Sequence, residues 1–69
     1  MAYRIDSLDD TLEFAPTPQA AFERLEALGA KVPEKRHLER AIGRMAVGSE
    51  ISVQADRPEG DTLFIERIG

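Results

Sequence analysis

Between residues 17 and 48 the apolar side chains recur three and four positions apart, and on both sides of that stretch they alternate with polar ones. A period near 3.6 suits a helix with one buried stripe, a period of 2 suits a half-buried strand, and neither pattern serves the other element. The chain therefore has to fold as strands around a helical centre.

Thr17-Pro18 opens the first helix. The threonine hydroxyl can cap an orphan amide, and proline at the first helical position gives up an N–H that has no partner there. Ala21, Phe22, Leu25 and Leu28 then form one apolar stripe, and Gly29 is free to take the left-handed backbone that ends a helix. The link Gly29-Ala30-Lys31-Val32 is short enough to require antiparallel or steeply crossed neighbours. Pro33 starts the second helix, with Leu38, Ala41, Ile42 and Met45 as its buried stripe and Gly48 as its expected stop. Gly43 falls on the solvent side, where it weakens a helix by ~1 kcal/mol relative to alanine.

The flanks read as two hairpins. Residues 2–6 place Tyr3 and Ile5 on one face, Ser7-Leu8-Asp9-Asp10 has turn chemistry, and residues 11–15 send Leu12 and Phe14 inward with Thr11 and Glu13 outward. The competing arrangement is a single strand with an irregular approach to Thr17. Residues 50–56 alternate with Ile51, Val53 and Ala55 inward; Arg57-Pro58-Glu59-Gly60 is a turn; residues 62–68 form the last strand. That strand contains Leu63, Phe64 and Ile65 in succession, so it is either buried on both faces or carries an exposed anchor. With Leu63 and Ile65 toward the helices, Phe64 faces away, among polar neighbours that include Arg4, Glu13, Ser52, Gln54, Thr62 and Glu66. A twist of the strand would instead bury Phe64 and expose Leu63.

The expected fold is α+β: one small domain over residues 1–69, two layers in the order β-β-α-α-β-β, with a four-stranded antiparallel sheet and both helices on one face. Its expected core is Ile5, Leu12, Phe14, Phe22, Leu25, Leu28, Leu38, Ile42, Met45, Ile51, Val53 and Ile65. A chain of 69 residues buries only ~60% of the surface it exposes when unfolded. There is no cysteine, hence no disulfide and no thiolate metal site, and a cytoplasmic setting is expected. No apolar run approaches the ~20 residues of a membrane span, and no signal-peptide pattern opens the chain. So small a domain gains from a partner or from self-association, and a homodimer is among the expected states.

The net charge of -4 is unevenly spread. Residues 1–30 hold two basic against six acidic side chains, residues 31–44 five against two, and residues 45–69 two against five. On the second helix Arg36, Arg40 and Arg44 stack as a basic ridge at intervals of four. That ridge could meet nucleic-acid phosphates, but the turn beside it, with Asp56, Glu59 and Asp61, is negative and would be repelled by a duplex.

Little in the chain suits catalysis. The only histidine, His37, has no serine near it in sequence, and there is no phosphate-binding glycine loop and no H-E-x-x-H. No catalytic residue, metal or cofactor is expected, and no motif names a family. The expected function is that of a small acidic, non-catalytic protein-interaction module, of the kind phage and mobile elements use to inhibit a host protein stoichiometrically. The alternative is a nucleic-acid-binding or transcription-regulating module that uses the basic second helix. The expected partner is a protein, basic in character, with no membrane involved. The candidate contact residues are Phe64, Glu66, Asp56, Glu59 and Asp61 on the strand side and Arg36, Arg40 and Arg44 on the helix.

Overall fold

The computed structural model describes residues 1–8, 10–31, 35–56 and 62–69, with only the backbone of Lys35 and Arg36. Strands β1 (Tyr3–Asp6) and β2 (Thr11–Ala15) are followed by helices α1 (Pro18–Ala27) and α2 (Lys35–Gly43), then by β3 (Glu50–Gln54) and β4 (Thr62–Arg67). The four strands form one antiparallel sheet in the order β2-β1-β4-β3, so the helix pair carries the chain from one sheet edge to the other. Both helices pack on the face that carries Tyr3, Ile5, Leu63 and Ile65, the α+β arrangement expected from the sequence.

Helix α1 begins and ends as its sequence requires. The Ala20 amide donates to the Thr17 hydroxyl at 3.1 Å, and Pro18 occupies the first turn. At the other end Gly29 takes φ 95°, its amide donates to the Glu26 carbonyl, and the Ala30 amide reaches back to Leu25, both at 3.0 Å. This pair of hydrogen bonds closes the helix through a left-handed conformation that only glycine adopts readily. The chain then docks on the far sheet edge: Lys31 donates to the Gln54 carbonyl and Asp56 to that of Gly29, each at 2.8 Å, around an Ala30–Ala55 bridge. Residues 55 and 56, expected in strand, thus leave the β3–β4 ladder to hold the inter-helix link. The shielded edge is less open to pairing with another chain.

Two expectations fail for stated reasons. Helix α2 ends at Gly43, not near Gly48. The Ile42 carbonyl accepts from the Tyr3 hydroxyl at 3.0 Å and from the Met45 amide at 3.2 Å, while Arg67 donates from Nη1 to the Met45 carbonyl at 2.6 Å. Tertiary donors have taken the carbonyls that further helix would use. Gly48 (φ 88°) sits instead in the turn closed by the Ser49 amide on the Ala46 carbonyl at 3.0 Å.

The second failure is the face of β2. Register pairs Tyr3 with Ala15, Arg4 with Phe14 and Ile5 with Glu13, then slips so that Asp6 meets Thr11 and Leu12 is left without a partner of its own. The bulge puts Leu12 and Glu13 on the helix side. Phe14, expected in the core, is 60% exposed, and Ala15 is buried in its place. Glu13, expected outside, reaches Arg24 of α1 at 3.4 Å. Of the remaining expected core, Leu12, Leu28, Leu38 and Ile51 are half-buried against it, whereas Tyr3, Ala21, Ala55 and Leu63 join it in full.

Candidate protein-binding face

The side of the sheet turned away from both helices is laid out by the strand register. Residues opposite one another in an antiparallel ladder share a face. One row therefore runs Phe14, Arg4, Glu66, Glu50 across the sheet, and the next contains Asp6, Phe64 and Ser52. Thr62 and Gln54 form a third pair. Leu63 and Ile65 are fully buried on the helix side, so alternation delivers Phe64 to the outer face, half-buried among polar neighbours. Leu8, beyond the end of β1, is 74% exposed. Asp6, Ser7, Leu8, Glu50 and Phe64 line an open depression of about 210 Å³.

Arg4 organises the middle of this face. Its Nε donates to Asp6 and its Nη2 to Glu66, both at 3.0 Å. The hydrogen bond and charge of Asp6, then the charges of Glu66 and Glu50, raise the Arg4 pKa above its ordinary value against a smaller opposing effect of burial. The guanidinium is thus committed to neighbours within the face. Such half-exposed pairs add little stability individually but fix side-chain positions. Glu50 stands directly opposite Glu66, and no ion-pair partner among the described residues reaches it. Asp6 Oδ1 is shut off from solvent and has no hydrogen-bond partner among the described residues.

The expected contact residues fall on different sides of the molecule. Phe64 and Glu66 share the outer sheet face; Arg40 is exposed on α2 in the opposite layer, and Arg44, expected on that helix, is exposed just past its end at Gly43. Asp56 is exposed past the end of β3, while Glu59, Asp61 and the Arg36 side chain lie outside the described residues, as do Pro33 and the Arg57-Pro58-Glu59-Gly60 turn. The sequence placed Arg4 beside Phe64 and Glu66 on this surface but did not add Phe14, Leu8, Asp6 or Glu50 to it. Their common face depends on the β2 bulge and on the pairing of strands distant in the chain.

Among the described residues no group of three or more histidine, aspartate or glutamate side chains is placed to hold a metal ion. The hydroxyls of Ser7 and Ser49 are engaged with the backbone of Asp10 and Ala46. None of the described helices is long and apolar enough to cross a membrane. Comparison with protein-family models, with curated proteins and with solved structures returns no match.

Proposed function

We propose that this protein is a non-catalytic binding module that engages a protein partner stoichiometrically through the outer face of its sheet. The observation that carries this reading is the exposure of Phe14 and Leu8 on the face that also holds half-buried Phe64 around the ion-paired Arg4. Full burial of a phenylalanine or leucine side chain is worth about 1.5–3 kcal/mol, so covering this face supplies affinity without any change of fold. Aromatic anchors set among polar groups are a common feature of protein-binding surfaces. Occluding a host protein in this way is how a small inhibitor of the phage or mobile-element kind would act.

Duplex nucleic acid is the weaker candidate. Arg40 and Arg44 are exposed, but Glu23 and Glu26 are exposed on α1, which packs beside α2 in the same layer, and their charges oppose phosphate. The test is capture and identification of partners with immobilised protein, repeated for Phe14→Ser and Phe64→Ala. Loss of the same partner in both variants, with the thermal midpoint of Phe14→Ser unchanged, is the expected result. A partner held equally well by the parent and both variants would refute the assignment of this face.

A further inference from the structure

Resting on the outer face as the docking surface, we infer that its partner is a basic protein surface that places an arginine side chain over the Glu50–Glu66 pair beside Phe64. Glu50 and Glu66 are directly opposed across β3 and β4, an arrangement in which like charges repel. Arg4 relieves it only in part: its Nε and Nη2 bond Asp6 and Glu66, its charge acts on Glu50 from beyond ion-pair distance, and Glu50 has no ion-pair partner among the described residues. Among the described residues, one cation against three carboxylates leaves this face negative. Water screens that charge while the face is open.

Docking removes the water. A neutral surface laid over Glu50 and Glu66 would strip their hydration and return nothing, which is costly for ionised groups. A second copy docking by the same face would bring the same negative excess, and its Arg4 is already committed. A cationic side chain reverses both penalties. Guanidinium suits the position better than ammonium, because it can bond two carboxylates in one plane and lies favourably against an aromatic ring such as Phe64. The depression lined by Leu8, Glu50 and Phe64 gives its aliphatic stem an apolar wall.

The test uses the full chain labelled with ¹⁵N and titrated with capped hexa-arginine at low salt, hexa-glutamate serving as the blank. Amide shifts should concentrate at Glu50, Ser52, Phe64 and Glu66. The double variant Glu50→Gln/Glu66→Gln should weaken binding by about tenfold, while Glu23→Gln/Glu26→Gln, the same charge change on α1, should alter it less than about twofold. Circular dichroism of each variant checks that the fold is retained, and Glu50→Gln alone, at an exposed position without an ion pair among the described residues, serves if the double variant unfolds. Equal weakening by both double variants, or shifts spread over α1, would overturn the inference. A captured partner lost on Phe14→Ser but insensitive to salt and to Glu50→Gln would overturn it as well and leave the outer face standing as the docking surface. A partner indifferent to Phe14→Ser and Phe64→Ala defeats the face itself.

Discussion

Replacing Tyr3 by phenylalanine removes one oxygen from the centre of the molecule. The ring is fully buried, and its hydroxyl donates at 3.0 Å to the Ile42 carbonyl, joining the middle of the sheet to α2. A buried hydrogen bond contributes about 0.5–1.5 kcal/mol net, and an acceptor left wholly unpaired adds about 1–3 kcal/mol to the loss. The second contribution is small here, because the Ile42 carbonyl keeps the Met45 amide at 3.2 Å. The expected cost is therefore about 1 kcal/mol, which in a domain of this size lowers the melting temperature by roughly 4–8 °C. Thermal unfolding followed by circular dichroism reads the change directly, and urea titration should show a lower midpoint at unchanged slope. A midpoint within about 1 °C of the parent would refute the claim that this bond ties sheet to helix. A changed urea slope would show that the substitution acts on compactness and not on one contact.

Leu25→Ala empties a fully buried position on α1 and should cost about 2–5 kcal/mol by chemical denaturation; a variant as stable as the parent would remove this stripe from the core. Gly43→Ala should instead stabilise the protein by up to about 1 kcal/mol, since φ there is negative and the new methyl would rest 3.8 Å from the Pro18 ring. A lower melting temperature in that variant would mean that the α1–α2 contact has no room for it.

Local chemistry was enough to place α1, because Thr17-Pro18 and Gly29 carry both ends of the helix within a few residues of it. It was also enough for β3 and β4, where Val53, Leu63 and Ile65 hold to strict alternation on the buried side. The end of α2 was not legible, since a tyrosine and an arginine far away in the chain take up the carbonyls there. Gly48 looked like a helix stop because turns and helix ends ask the same thing of glycine. The face of β2 was lost to one unpaired residue: a slip at Leu12 inverts everything after it. For that reason half of the candidate surface was visible beforehand. Phe64 stood out within its apolar run, whereas Phe14 was assigned to the core, and the Glu50–Glu66 opposition exists only once the β3–β4 register is known.

The placement of β1 beside β4 has a consequence for how the protein comes into being. The first and last strands in chain order lie together at the middle of the sheet, with Ile5 paired to Ile65. During vectorial synthesis the β1–β2 hairpin and both helices emerge while the central slot is still empty, and the β1 edge, bearing Tyr3 and Ile5, stays open to any other strand. Closure waits for the arrival of β4, and joining segments so distant in sequence is slow compared with local folding. A nascent or truncated chain without Leu63 and Ile65 is consequently the aggregation-prone form of this protein, and its period of exposure lasts until those residues clear the ribosome.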